Sequence, residues 1–183
     1  MHVARVRPNR DAVTGLRRCD VAALPHHHPG ERELGAGETV VVDLGAKVDG
    51  YCSDCTRTFA TGELPEALRE AYAVCQGAQG AALDEVRSGA DSRGLDAIAR
   101  MEIEAAGHDV LHGLGHGVGL EVHELPVLRE TAAGPLAAGN VVTIEPGVYL
   151  AGLGGVRIED LVVVGDGGPE VLSSYTKDLV TLN

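Results

Sequence analysis

The sequence predicts an α+β domain in which a strand hairpin is followed by two helices and then by further strands. Apolar, β-branched runs bounded by turn residues begin at Thr39 and recur after residue 140, in VVTIE, VYL and VRIEDLVVV, with a terminal strand near Leu179. Between these runs, apolar residues recur every three or four positions, which is the period of a helix that buries one face. A length of 183 residues suits one domain.

The first two predicted strands form a hairpin. ETVVVDLGA and YCSDCTRTFA flank a short turn that contains Asp49-Gly50, and an Asp-Gly pair is typical of a tight hairpin connection. In such a hairpin Asp43 and Asp54 lie opposite or diagonal to one another, within reach of a common ion. The alternative is two strand carboxylates that face water.

Two helices are predicted after the hairpin. Pro65 opens the first, since proline is favoured at a helix start, and its buried stripe consists of small apolar residues: Leu64, Leu68, Ala71, Cys75, Ala78 and Ala82. The second begins near Asp91 or Ser92 and stops at Gly107. Its inward face is expected to comprise Leu95, Ile98, Met101 and Ala105. Neither helix shows a pattern that indicates catalytic chemistry.

The composition disfavours several classes of partner and location. The net charge of -12 opposes binding to nucleic acid or to an anionic membrane. Four cysteines, no signal-peptide-like segment and no apolar run near ~20 residues favour the cytoplasm. Residues 1–24 hold five Arg and two Asp and show no regular period, so they are expected to be an atypical Arg-rich segment that precedes a domain over residues 25–183.

Five potential metal ligands lie in or beside apolar strands: Asp43, Asp54, His116, Glu145 and Glu159. A half-buried strand that directs a charge inward does so at considerable cost. A divalent cation is the strongest partner that a buried carboxylate can have. A dinuclear metal site is therefore the leading hypothesis, and oxygen ligands with one imidazole favour manganese, cobalt, zinc or iron over copper.

Three other patterns allow a simpler interpretation. Cys52 and Cys55 lack two further ligands at suitable spacing and point to opposite faces of a strand, so they are interpreted as packing residues rather than as a zinc or redox pair. The glycines of HGLGHGVG are not followed by Lys-Ser/Thr, which favours close backbone approach over a phosphate loop. A solvated loop is the alternative for residues 26–28, all histidine.

The segment HGLGHGVGLEVHELP is the most specific in the chain. With ALPHHHPGERELGAGETVVVDLGA, YCSDCTRTFATG, TIEPGVYL and GGVRIEDLVVV, it resembles the pita-bread metallopeptidases, which comprise Xaa-Pro aminopeptidases, prolidases and methionyl aminopeptidases. The resemblance covers residues 25–183. It implies a pita-bread fold, with a curved antiparallel sheet and helices on its outer face. It also implies that part of the first half is missing, since residues 1–24 do not resemble the family's helices and strand.

By the same resemblance, five residues hold two divalent metal ions. Asp54 and Glu159 bridge the ions, Asp43 completes one of them, and His116 and Glu145 complete the other. Manganese or cobalt is expected first, with zinc or iron as alternatives. Two close cations acidify a shared water and polarise a carbonyl group, so hydrolysis of an amide is the expected reaction.

The resemblance also assigns roles around the metals. Glu145 takes the proton from the attacking water and passes it to the leaving amine. His26 and His123 bind the substrate carbonyl and help the tetrahedral intermediate. His112 lines the leaving-group side, and Arg157 helps to frame the site unless it forms a surface ion pair with Asp160 or a neighbour.

Details of the motifs favour a peptide substrate with proline after its first residue. His112 four residues before His116, Glu124 after His123, and the RIED run resemble Xaa-Pro aminopeptidases and prolidases more than methionyl enzymes. Three alternatives stay open: a methionyl aminopeptidase, a catalytically weak truncated relative, and a non-catalytic pita-bread module that binds peptides or proteins. A homodimer is compatible with each of them.

Overall fold

The structure, a computed structural model, describes residues 12–17, 33–132 and 134–182, with only the backbone described over residues 12–17. The two helices of this part are α1, Glu66–Asp84, and α2, Ser92–Ala105. The early strands are β1 Ala12–Arg17, β2 Thr39–Val48, β3 Tyr51–Cys52 and β4 Cys55–Ala60. The later strands are β5 Gly115–Gly117, β6 Glu124–Leu128, β7 Val141–Ile144, β8 Gly147–Leu150, β9 Gly154–Arg157, β10 Asp160–Gly165, β11 Gly168–Val171 and β12 Val180–Thr181. None of the described helices is long and apolar enough to cross a membrane.

The first sheet contains the predicted hairpin. Its order is β1-β2-β4-β12, with β3 also paired to β2, and only the β4–β12 pair is parallel. Val48 pairs with Tyr51 across a two-residue turn. The turn residues Asp49 and Gly50 both have positive φ, 51° and 89°, as a tight hairpin turn requires. The prediction of a hairpin with an Asp-Gly turn is therefore confirmed.

The strand β1 lies within the Arg-rich segment of residues 1–24, where the sequence shows no regular period. Residues 12–17 pair antiparallel with β2, from Ala12 opposite Ala46 to Arg17 opposite Val41. The segment AVTGLR carries a glycine and an arginine and shows no alternation. Because strand pairing uses backbone groups, a strand can form without the pattern that sequence analysis relies on. The edge of β2 is therefore covered along residues 41–46.

The second sheet is antiparallel, with the order β11-β10-β7-β5-β6, and β8 and β9 form a separate hairpin. Helix α1 packs on β8 and β9, and α2 packs on α1 and β6. The main hydrophobic core lies between these elements and includes Ile103, Leu128, Ile144, Val148 and Ile158. The predicted stripe of α1 is confirmed, because Leu68, Ala71, Cys75, Ala78 and Ala82 are all buried.

The buried face of α2 differs from the predicted one. The helix begins as predicted, after Asp91, whose side chain accepts the Gly94 N–H at 3.0 Å. Leu95 is buried and Ile98 half-buried, but Met101 is 65% exposed and Ala105 is exposed. The stripe instead continues through Ala99 and Ile103, each four residues beyond the last. Met101 lies six residues after Leu95, which places it about 120° away round the helix.

Candidate metal centre

Three carboxylates meet where the two sheets approach each other. Asp43 is on β2, Asp54 immediately precedes β4, and Glu159 lies between β9 and β10. Asp43 pairs with Thr56, two residues after Asp54, so the predicted diagonal arrangement is found. A backbone hydrogen bond of 3.1 Å from Glu159 N–H to the Thr56 carbonyl joins the two segments. One oxygen from each carboxylate lies within 4.8 Å of the others.

A second group shares Asp54 with the first. Ligand atoms of Asp54, His116 and His123 also lie within 4.8 Å of one another. His116 Nε2 is 3.1 Å from Glu145 Oε1 and 3.8 Å from Asp54 Oδ2. The His116 and His123 rings are 4.3 Å apart between centroids. The five predicted ligands therefore form one cluster, and His123, predicted as a catalytic residue but not as a ligand, adds a sixth potential ligand.

The buried carboxylate of Glu159 fits a bound cation. This side chain is 1% exposed. Its Oε2 accepts the Thr56 hydroxyl at 2.6 Å, whereas Oε1 is buried with no hydrogen-bond partner among the described residues. Burial, together with the charges of Glu145 and Asp54, raises the pKa of Glu159 well above its ordinary value. An unpaired buried carboxylate oxygen is costly, and a divalent cation is the ligand that would satisfy it.

The other ionisable groups of the cluster are perturbed in opposite directions. Burial and the neighbouring charges of Asp43 and Glu145 raise the pKa of Asp54 to about 6. Burial also acts to raise the pKa of Glu145, but its hydrogen bond with His116 and the nearby Arg157 outweigh burial and lower it. Burial lowers the pKa of His116, yet the Glu145 contact prevails and raises it. Without metal, Glu145 and His116 thus form an ion pair, while burial, and then repulsion by Asp43 and Glu145, disfavours an ionised Asp54.

Because an ionised Asp54 is disfavoured, neutralising this side chain should stabilise the metal-free protein, and the size of the effect should depend on pH. In chelated, metal-free protein, Asp54→Asn should raise the melting temperature at pH 7. A carboxyl group with a raised folded-state pKa contributes stability below its unfolded pKa of about 3.8 and loses it as pH rises through about 6. The increase in melting temperature caused by Asp54→Asn should therefore be smaller at pH 5, where Asp54 is mostly protonated. Thermal denaturation in EDTA at both pH values measures this.

The exposed Asp84→Asn variant is the control, because its carboxylate faces water at the end of α1. It should show no comparable change between pH 5 and pH 7. An Asp54→Asn variant that is less stable than the parent at pH 7 in EDTA would contradict the cost assigned to an ionised Asp54, which comes from burial and from repulsion by neighbouring carboxylates.

Arg157 is buried inside the site rather than paired with Asp160. It is 4% exposed, and its Nη2 donates to Asp43 Oδ2 at 2.6 Å. Its Nε lies 3.8 Å from Glu145 Oε2. Asp160, the alternative partner, instead pairs with Arg57 and Lys177. The prediction that Arg157 frames the site agrees with this placement, whereas the alternative surface ion pair is wrong.

His112 reaches this arginine through a tyrosine. The hydroxyl of Tyr149 is 2.8 Å from His112 Nε2 and 3.4 Å from Arg157 Nη1. Burial raises the pKa of Tyr149 to about 12, so the hydroxyl keeps its proton at neutral pH. The half-buried His112 also contacts the Gly113 carbonyl through Nδ1, at 2.8 Å. A continuous polar path therefore runs from His112 to Asp43.

Sequence reasoning missed Thr56 and Thr143, which contact the cluster, and Tyr149, which contacts His112 and Arg157 beside it. Thr143 is fully buried, and its hydroxyl donates to Glu145 Oε1 at 3.0 Å while accepting the His116 N–H at 3.0 Å. Thr56 holds Glu159 in the same way. A signal was available, because Thr56 and Thr143 each lie two residues from a predicted ligand along an extended segment and therefore share its face.

The glycines around His116 allow close backbone approach, as predicted. A Cβ on Gly115 would overlap the Thr143 carbonyl oxygen, and one on Gly117 would overlap the Leu125 carbonyl oxygen. These positions let β5 lie against its neighbours so that His116 reaches the carboxylates. Cys52 and Cys55 are half-buried free thiols. The catalytic prediction for His26 falls outside the described residues.

The clustered carboxylates and histidines are ligand types that suit a divalent-metal site of the kind found in metal-dependent hydrolases. Comparison with known sequences agrees, because residues 19–166 match metallopeptidase family M24. The chain belongs to this family, and the resemblance to pita-bread metallopeptidases is thereby confirmed.

Individual relatives support the same family and fold. A protein named Xaa-Pro dipeptidase from Pyrococcus furiosus is 41% identical over 161 residues, which cover 87% of this chain and 46% of that protein. The crystal structure of an X-Pro aminopeptidase from Thermotoga maritima superposes with a TM-score of 0.89 at 35% identity, covering 92% of this chain and 49% of the other. The crystal structure of a dipeptidase from Pyrococcus horikoshii superposes with a TM-score of 0.89 at 43% identity, covering 91% of this chain and 48% of the other.

These matches establish the pita-bread fold for the chain. In the described part, the fold combines antiparallel sheets, one parallel strand pair and two helices. The chain spans about half the length of the relatives it matches.

Proposed function

We propose that this protein is a dinuclear-metal peptidase that hydrolyses the amino-terminal peptide bond of peptides with proline in the second position. The observation that carries the proposal is the pair of potential ligand groups that share Asp54. Asp43, Asp54 and Glu159 would hold one ion, and His116 with Glu145 would complete the other, with Asp54 and Glu159 as bridges. Such a pair of ions supplies an acidified water and a polarised carbonyl group.

Glu145 is the proposed proton carrier. The Thr143 hydroxyl at 3.0 Å fixes Glu145 Oε1, and the lowered pKa keeps the carboxylate ionised and able to accept a proton. From this position Glu145 takes a proton from the attacking water and returns it to the leaving amine.

The histidines and the arginine are proposed to bind the substrate around this group. His123 is exposed beside His116, where it can donate a hydrogen bond to a substrate carbonyl. His112 lies on the leaving-group side and is oriented by Tyr149. Arg157 holds Asp43 in place through its 2.6 Å contact. His26 would add a second carbonyl contact.

Proline specificity rests on the relatives and on the motifs. The Pyrococcus furiosus protein is named an Xaa-Pro dipeptidase and the Thermotoga maritima structure an X-Pro aminopeptidase. His112, Glu124 and the RIED run agree with that branch of the family. Manganese or cobalt is the proposed metal, and a cytoplasmic location and a homodimer remain predictions.

A direct comparison of substrates tests the preference. With manganese or cobalt added, an Ala-Pro peptide should be hydrolysed faster than Met-Ala-Ser, because the site is expected to accept the ring of proline after the scissile bond. Release of the first amino acid from each peptide gives the two rates. The Asp54→Ala variant, assayed in parallel, excludes a contaminating peptidase. Faster release of methionine from Met-Ala-Ser would instead indicate a methionyl aminopeptidase.

A further inference from the structure

We propose that Arg57 and Asp160 are positioning residues for the metal centre, and that this buried ion network sets the affinity of the centre for divalent cations. The proposal rests on the proposed function, because it requires that the carboxylate cluster binds metal. Neither residue is among the potential ligands.

Arg57 reaches the backbone on both sides of the cluster. It lies on β4 and is 5% exposed. Its Nη1 donates to the Thr56 carbonyl at 2.9 Å and to the Glu159 carbonyl. Thr56 in turn holds the Glu159 carboxylate, and it lies two residues after Asp54. One guanidinium group therefore fixes the backbone beside both proposed bridging ligands.

The same guanidinium also binds the C-terminal segment. Its Nε donates to the Thr176 carbonyl at 3.0 Å, and its Nη2 donates to the Tyr175 carbonyl at 2.8 Å. These contacts use the planar, forked geometry of arginine, which a lysine ammonium cannot reproduce. The segment before β12 is thereby tied to the backbone of the metal centre.

Asp160 completes the network from the opposite side. It is fully buried and directly follows Glu159. Its Oδ1 accepts Arg57 Nη2 at 2.8 Å, while its Oδ2 accepts Lys177 Nζ at 2.9 Å and Gln79 Nε2 at 3.0 Å. Lys177 also donates to Gln79 Oε1 at 2.9 Å, which connects the network to α1. Both oxygens of this buried carboxylate are therefore satisfied.

The position of the network argues for more than a contribution to stability. Buried ion pairs are often no more stabilising than apolar side chains of similar volume, because desolvation offsets their attraction. Here the pair lies directly behind Glu159, whose own Oε1 has no hydrogen-bond partner in the described part of the chain. An unsupported Glu159 would turn this oxygen away from a bound ion. The network prevents that by fixing the Glu159 backbone on both of its sides.

Metal titration of the purified chain tests the inference without an activity assay. Arg57→Lys keeps the charge but loses the fork, and we expect Mn²⁺ and Co²⁺ to bind ~10- to 100-fold more weakly by calorimetry, as for loss of a group that orients a ligand. The visible absorption of bound Co²⁺ should also change. Ile103→Val is the control, because it removes one methyl group from a fully buried position on α2. It should lower the melting temperature and leave metal affinity unchanged.

Lys177→Met provides a second variant at the more exposed rim of the network, where the Lys177 side chain is 31% exposed. Removing a positive charge near an acidic site should tighten cation binding if only long-range electrostatics acts. If Lys177 instead helps to position the metal centre, its loss should weaken cation binding several-fold, which is the result we expect. If folded Arg57→Lys or Lys177→Met bound divalent cations as tightly as the parent, the inference about the network would be overturned and the proposed metal centre would stand. A parent protein that binds no divalent ion would overturn the proposed metal centre with it.

Discussion

Asp54→Ala is expected to reduce the metal content of the protein from close to two divalent ions per chain to almost none. Asp54 belongs to both potential ligand groups, so its loss removes a ligand from each ion. It also removes the negative charge that would lie between two cations and screen their mutual repulsion. Elemental analysis after dialysis against manganese or cobalt gives the stoichiometry directly.

The control for this experiment is Asp84→Ala, which removes an exposed carboxylate at the end of α1. It should keep the parent metal content. Circular dichroism of Asp54→Ala should show a folded protein, because the metal-free cluster gains from losing one of its repelling charges. Undiminished metal in a folded Asp54→Ala protein would contradict the assignment of Asp54 as a bridging ligand.

Much of the cluster could be predicted because its residues combine charge with a strand context. Asp43 and Glu145 follow β-branched runs that leave few solvent-facing positions, and the Asp-Gly turn fixes the register that brings Asp43 near Asp54. The matched motifs then placed His116 and Glu159. The structure brings all five together, while their binding of metal stays a prediction.

The residues that support the cluster could not be predicted in this way. Arg57 and Asp160 are 103 positions apart in sequence, and although Asp160 lies beside an apolar run, no local pattern shows that it pairs with Arg57. Tyr149 and Arg157 lie on opposite sides of the turn at residues 151–153, and the pairing of β8 with β9 brings them together. Long-range polar pairing depends on tertiary structure, so periodicity carries no information about it.

The wrong prediction of the buried face of α2 has a related cause. A helical stripe can be drawn through Leu95, Ile98 and Met101 as easily as through Leu95, Ala99 and Ile103, since both use steps of three or four residues. Packing against α1 and β6 selects the second stripe, and Asp96 is buried beside it because its carboxylate accepts the Leu114 N–H at 2.9 Å. Neither contact is visible in the helix sequence alone.

Glu145→Gln should lower turnover of an Xaa-Pro peptide by ~10²-fold or more, as loss of a general base does. The change is nearly isosteric, and the amide oxygen can still accept the Thr143 hydroxyl that now lies 3.0 Å from Oε1. An amide cannot accept the proton of the attacking water, however, so the chemical step should suffer more than substrate binding. Steady-state kinetics at saturating metal separates kcat, which should fall, from KM, which should change less.

Metal analysis of Glu145→Gln shows whether turnover falls because metal is lost or because the proton acceptor is lost. If Glu145 is both a ligand and the proton carrier, Glu145→Gln keeps most of its metal, because Asp43, Asp54, His116 and Glu159 remain, and still loses turnover. Glu102→Gln, an exposed change on α2, should leave both quantities unchanged. Retained turnover with a raised KM would show that Glu145 only holds metal or substrate. Proton transfer would then have to pass through another group beside the cluster, and His123, exposed next to His116, is the first to test.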